Sequence, residues 1–396
     1  MVYRMTEWIE CTLDKLGEIV GGATPSTKCE DYYGGSIPWI TPKDLSSFKG
    51  RYITSGERNI TEKGLASCSA QMMPKDAVLF TSRAPIGYVA IASQSVCTNQ
   101  GFKSIVVNEK ADPLFVYYLL KYNKDAIEAM GSGTTFKEVS GKTMRAVKVR
   151  IPLDVSYQKR IAAVLDSLDT KIENNERIND NLYEIVNAYY TSLFKDVECE
   201  MTTIGNYAER IYSGGTPTTS NAAYWDGTFG WFSSGETRNR FVISTEKSIT
   251  QTGIDNSSTK LASKHDIVMA SAGQGFTRGQ TSMLLIDTYV NQSVIVIHAD
   301  RNILPYLFWN LANRYEELRA ISDSSSIRGS LTTKMIAAFE IPCANNDVIQ
   351  TFSGFAWAVI PQIENNLLEN ERLAALRDSL LPKLMTGEID VSAIQL

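Results

Sequence analysis

Between Gln158 and Phe194 the chain repeats an apolar step with a regularity that leaves few folds open. Ile161, Leu165, Leu168, Ile172, Asn175, Asn179, Leu182, Val186, Tyr189 and Leu193 are separated by gaps that alternate between four and three, and only the two Asn are polar. A helix with one narrow seam of this kind is written for one partner helix. The chain carries a second seam. Ile363-Glu-Asn-Asn366 repeats Ile172-Glu-Asn-Asn175, and Val359, Ile363, Asn366, Asn370, Leu373, Leu380 and Leu384 extend it, diluted by Ala356 and Arg377. Two long antiparallel coiled-coil helices within one chain are expected. If the amides share layers, Asn175 faces Asn370 and Asn179 faces Asn366, which puts Ile161 near Leu384 and Leu193 near Phe352. Asn at a seam position costs stability and fixes register. A homodimeric coil between two chains is the other arrangement open to these seams. Pro361 should kink the second helix or make it end and restart, and Pro382 should end or bend its tail.

The seams join two copies of one unit. Gly22-Ala-Thr-Pro-Ser-Thr27 matches Gly214-Gly-Thr-Pro-Thr-Thr219, and at the same spacing Tyr32, Gly35, Trp39 and Asn99-Gln100 match Tyr224, Gly227, Trp231 and Asn291-Gln292. Pro113–Leu119 matches Pro305–Leu311, and Ile151-Pro152 matches Ile341-Pro342 ahead of each seam. Two repeats are a duplication, too few to stack as a solenoid. Short strands are expected at 77–80, 88–91 and 104–107, and again at 266–269, 283–286 and 294–297, with helices of about ten residues opening at Pro113 and Pro305. The fold class is α+β: two similar mixed α/β globes joined by the two helices, with a pseudo-twofold internal repeat. The expected divisions are 1–152, a spacer helix at 153–197, a second globe at 198–342, and the second helix with its tail at 343–396. Trp39 and Trp231 should be core.

With 396 residues, 43% of them apolar, more than one core can form. The absence of long apolar runs leads us to expect a soluble, cytoplasmic protein with no membrane partner. Six scattered Cys, with no Cys-x-x-Cys pair, should be reduced and mostly buried. The two His, His265 and His298, both lie in the second half, one expected on the surface and one on a strand, which weakens any triad or His-metal reading. The net charge of −5 is unevenly spread: residues 1–150 carry +4, 201–340 carry zero, and the two helical segments are acidic. Any polyanion is therefore bound by the globes. Neither a nucleotide-binding glycine loop nor a catalytic methyltransferase tetrad is present, and Gly273–Gly279 fits no phosphate template. No catalytic residue or metal site is expected. The chain reads as a scaffold whose chemistry lies elsewhere.

The order of these segments resembles the specificity subunits of type I restriction–modification systems. The residues that carry the likeness are Ile151-Pro-Leu, Gln158-Lys-Arg-Ile-Ala-Ala-Val-Leu-Asp-Ser-Leu-Asp169 with Lys171-Ile-Glu173, and the two glycine–Thr-Pro turns. Thr81-Ser-Arg-Ala-Pro-Ile-Gly87 and Leu380-Leu-Pro-Lys-Leu-Met-Thr-Gly-Glu-Ile389 complete it. The second copy departs from the pattern, with Val348–Phe352 in place of Gln-Lys-Arg-Ile. The resemblance implies two target-recognition globes, each reading one half of a split double-stranded DNA site across an unread gap. It also implies two methyltransferase subunits and restriction subunits as partners. S-adenosylmethionine, ATP and Mg would sit on those partners and no cofactor on this chain, which would be a non-catalytic subunit. About 36 helical residues span roughly 54 Å, enough to act as a ruler over about a duplex turn. A two-headed adaptor that binds no DNA is the competing reading.

The copies diverge where loops follow Thr81-Ser82 and Ala270-Ser271. Arg83 is a candidate for guanine and Gln274 for adenine, set against a plain surface Arg and a loop amide. Lys28, Lys43 and Lys137, with Arg238, Arg240 and Arg328, are candidate phosphate contacts, each otherwise a solvated charge. Gly131–Thr135 and Ser324–Ser326 fall at matching places and offer small polar groups, among them Thr134 and Ser326, or are plain turns. Ser82, Ser234 and Arg278 complete the set.

Overall fold

Both seams fold as single helices. Val155–Phe194 is one helix of 40 residues and Asn346–Thr386 one of 41. The computed structural model describes residues 6–133, 137–194, 200–273, 277–324 and 329–394. Contacts divide the chain into two units, Met1–Asn174 with Glu371–Leu396, and Asn175–Asn370, so the division falls inside both long helices.

In the first unit a five-stranded sheet runs Gly17–Gly21, Lys103–Val107, Val78–Ser82, Ile86–Ala92 and Tyr52–Ile53. The first three pairings are antiparallel and the last is parallel. Every residue of Val78–Ser82 is buried. Val78 and Phe80 enter one core while Leu79 enters another, which is why this strand reads as a continuous apolar run. A three-stranded sheet of Asn59–Ile60, Tyr33–Ile40 and Cys97–Thr98 carries Trp39 in its core. Trp8–Thr12 closes against Lys148–Pro152. The helix Pro113–Tyr122 starts on Asp112, whose carboxylate accepts the Phe115 amide at 3.0 Å.

The second unit repeats this design. Its five strands are Ala208–Ser213, Val294–Ala299, Ile267–Ala270, Thr281–Leu284 and Phe241–Val242, with the same sequence of pairings. Its smaller sheet gains a fourth strand, Lys260–Ala262. Leu304–Asn313 takes the place of the Pro113 helix and buries Trp309 completely.

Each unit owns one antiparallel stretch of the helix pair. In the first, Ile161 and Leu165 share a core with Leu384 and Met385. In the second, Asn175 Nδ2 donates to Asn370 Oδ1 at 2.9 Å and to Glu369 Oε2 at 2.7 Å, and Asn366 Nδ2 donates to Asn179 Oδ1 at 2.7 Å. Leu193 and the rings of Tyr190 and Phe194 pack around Phe352.

Four expectations need correction. The second helix does not end and restart at Pro361 or end at Pro382; Ile360 and Ile363, each 1% exposed, hold the segment through the hydrogen bond that Pro361 omits. Arg377 does not dilute the seam, because Nη1 donates to Asp169 Oδ1 at 2.7 Å. Among the described cysteines Cys97 alone is buried and Cys343 is exposed; burial pushes the Cys97 thiol up to about 12. His265 is no simple surface group, for its ring meets the Trp357 ring edge-on at 4.7 Å. His298 lies on a strand, its Nδ1 2.5 Å from Asp266 Oδ1. No helix among the described residues is long and apolar enough to cross a membrane.

Candidate nucleic-acid interface

The two glycine–Thr-Pro turns are the foundation of the site. In the first globe the Ala23 amide donates to Thr98 O at 3.0 Å, and in the second the Gly215 amide donates to Val290 O at 3.1 Å. The approach is so close that a Cβ on Gly22 would lie 2.1 Å from Asn99 O, and one on Gly214 only 1.9 Å from Val290 O. Glycine is therefore required by space. The indole nitrogens of Trp39 and Trp231 fasten the turns, donating to Ala23 O at 3.0 Å and to Gly215 O at 3.3 Å. Both indoles are core, 6% and 5% exposed.

From each turn a Thr hydroxyl reaches a Gln carboxamide. Thr24 Oγ1 donates to Gln100 Oε1, and Thr216 Oγ1 donates to Gln292 Oε1. The preceding Asn shapes the backbone: Asn99 Oδ1 accepts the Gly101 amide at 2.8 Å, and Asn291 Oδ1 the Ser293 amide at 3.0 Å. Gly101 O then accepts the Ser82 amide at 2.7 Å, and Ser293 O the Ser271 amide at 2.9 Å. Ser82 O accepts the Val139 amide and Ser271 O the Leu331 amide, both at 2.9 Å. One frame thus leads, bond for bond, to the points where the copies part.

Beyond those points the chemistry differs. In the first globe Arg83 Nη1 lies 3.6 Å from Glu138 Oε2 and Lys103 Nζ lies 3.5 Å from Glu138 Oε1. The Ser82 hydroxyl is buried and donates to Gly101 O, and Lys137 is exposed beside Glu138. Arg83 and Lys103 are therefore gathered round Glu138, with the Ser82 hydroxyl 3.5 Å from Lys103 Nζ. In the second globe Arg278 turns inward. It donates to Asp323 Oδ1 at 2.6 Å and to Gly329 O, and its side chain is 16% exposed. Thr134, Gln274, Ser326 and Arg328 lie outside the described residues.

The remaining candidates sit elsewhere. Lys43 and Ser234 belong to the matching turns 41–44 and 233–236, each closed by a capping box, Thr41 with Asp44 and Ser233 with Glu236. Lys43 pairs with Glu57 at 2.6 Å and Arg238 with Glu246. Lys28 is exposed on the turn after Thr24. Arg240 lies over the Tyr183 ring at 4.2 Å and reaches Asp180 at 3.3 Å, so it faces the long helix. Its counterpart by strand order, Arg51, does so more completely. Arg51 is 5% exposed, donates to Glu173 Oε1 at 3.1 Å and Oε2 at 2.9 Å, to Thr170 Oγ1 at 2.8 Å, and pairs with Asp166. Burial works against its charge, yet the Glu173 bonds and the Asp166 charge keep its pKa raised. The sequence offered no periodicity for Arg51, Lys103 or the Thr–Gln pairs; for the pairs, repetition was the available signal.

Cations at these loops are already matched by carboxylates: Arg83 and Lys103 by Glu138, Lys43 by Glu57, Arg238 by Glu246 and Arg278 by Asp323. A phosphate must displace a carboxylate to be bound by any of these five cations, which limits the charge either globe contributes alone.

The model of the type I restriction modification DNA specificity domain matches residues 5–184 and 197–347. The chain is 29% identical over 411 residues to the type I restriction enzyme MjaIX specificity subunit of Methanocaldococcus jannaschii, spanning 98% of this chain and 95% of that one. It is 26% identical to the Escherichia coli EcoR124I/EcoR124II specificity subunit over 52% of this chain and 49% of that one. Among solved structures, the type I restriction-modification S subunit from M. genitalium shares the fold with a TM-score of 0.61 at 16% identity, covering 97% of both chains. The non-DNA adaptor reading is not favoured by these likenesses. With two family domains lying over two matching globes, this chain belongs to the DNA specificity subunits of type I restriction–modification systems.

Proposed function

We propose that each globe reads one half of a bipartite DNA site, and that the paired helices set the unread gap and dock two methyltransferase subunits. The observation that carries this is the pattern of sameness and difference. The frame from Gly22 to Ser82 recurs from Gly214 to Ser271, and the loops beyond it change composition, which suits two heads that bind one kind of ligand and read different letters. S-adenosylmethionine binding and methyl transfer are assigned to the methyltransferase subunits, and ATP- and Mg-dependent cleavage to restriction subunits. This chain holds none of those cofactors and supplies the address. The matched cations agree with weak DNA binding by the isolated chain, with tight binding requiring the partners.

Methylation mapping of a genome that expresses this chain with its partner methyltransferase is the test. A single interrupted motif of fixed gap is expected. Methylation that is absent, continuous or independent of this chain would overturn the reading, as would nanomolar affinity of the isolated chain at physiological salt.

A further inference from the structure

We propose that the Thr24–Gln100 and Thr216–Gln292 pairs are phosphate clamps, one per globe, that fix the DNA backbone beside each reading loop. The inference rests on the DNA-reading role argued above and adds a residue-level contact to it.

Three observations carry it. First, the geometry recurs: in both globes the Thr hydroxyl donates to the Gln carbonyl oxygen, on turns held by the same indole and the same Asn. Second, both Gln are exposed, and among the described residues the only hydrogen bond to either carboxamide is the Thr hydroxyl's on its oxygen. With the oxygen engaged by Thr, what each carboxamide turns outward is its pair of N–H donors. An exposed amide has no need of a positioning bond for stability, so its preservation in both copies points to an outside acceptor. Third, each Gln precedes the residue whose carbonyl anchors Ser82 or Ser271, the last common point before the divergent loops.

A donor identical in both heads cannot discriminate between different half-sites. It suits an acceptor that every duplex offers at the same place, and phosphate oxygen is that acceptor; neutral amides make such contacts and thereby set register. Being uncharged, the clamp releases no counterion. Thr24 and Thr216 are positioning residues: they orient the amide and do not contact DNA.

The test uses the full chain assembled with its methyltransferase subunit, a duplex carrying the mapped site, and a salt series. Gln100→Ala and Gln292→Ala should each weaken binding about tenfold, the loss of one hydrogen bond to a charged group, with the salt slope and methylated motif unchanged. Gln100→Glu separates a clamp from a brace. A carboxylate still accepts the Thr24 hydroxyl but presents an anion to phosphate, so this variant should bind more weakly than Gln100→Ala while melting at the wild-type temperature. Wild-type affinity in Gln100→Glu would show that the pair only braces the turn. A motif altered in one half would show that Gln100 reads a base. Either result overturns the clamp while leaving the DNA-reading role intact, whereas a wild-type complex that fails to bind duplex removes both.

Discussion

Arg51 and Arg83 show two uses of one side chain. Arg51 is buried against Asp166, Thr170 and Glu173 and anchors the first globe to its stretch of helix. Arg51→Met keeps much of the volume and strands two partly buried carboxylates. Discounted for their exposure, the loss should be about 2–3 kcal/mol in denaturant titration; a variant within 0.5 kcal/mol of wild type, roughly the surface-substitution range, would deny the anchor. Among the described residues Arg83 pairs with Glu138, at 3.6 Å, and it remains partly exposed. Arg83→Ala should relax one half of the methylated motif, whereas Lys43→Ala should weaken all sequences alike and lower the salt slope by about one. Equal loss at both half-sites from the Arg83 change would show that it does not read bases.

Within the helix pair the Asn layers dominate specificity. Asn366 Nδ2 donates to Asn179 Oδ1, Asn366 Oδ1 accepts from Gln362, and Asn175 spends its amide hydrogens on Glu369 and Asn370. Asn179→Leu alone leaves the Asn366 amide facing an apolar side chain and should cost about 1–3 kcal/mol. The double change Asn179→Leu with Asn366→Leu should recover most of that, and a coupling energy near zero in the double-mutant cycle would deny the pairing. The layer at Asp169 is ionic instead. Its two oxygens take Arg377 and Tyr118, at 2.7 Å each, and burial with the neighbouring carboxylate raises the Tyr118 hydroxyl far above its ordinary range. A slipped register would break this layer and the Asn layers together.

For the chain as a whole, the second helix and the tail after it complete both units. Leu384, Met385 and Val391 close the first core, and Ile349, Phe352, Ile360 and Ile363 close the second. A fragment ending at residue 345 therefore loses a wall from each and should elute as aggregate in size-exclusion chromatography with light scattering. A monodisperse, monomeric fragment would contradict this dependence.

The duplication, the helix pairing and its Asn register were legible because each is a matter of spacing. Alternation of four and three, an offset repeated along the chain, and amides at fixed seam positions survive in one dimension. Three strands of each globe were legible for the same reason, with ends shifted by a residue or two, while the strands of the smaller sheets and the edge strands Gly17–Gly21 and Ala208–Ser213 were not. What spacing does not carry is which distant side chains share a carboxylate. Glu138 serves Arg83 and Lys103, Asp169 serves Arg377, and Arg278 folds inward onto Asp323, all across gaps of dozens to hundreds of residues. The same limit applies to Pro361, read as a kink or a break from backbone chemistry alone but carried within one helix by apolar neighbours buried on either side. Periodicity is local and leaves its trace in the sequence; charge pairing and burial are settled only when the chain closes on itself, because both depend on what arrives from elsewhere.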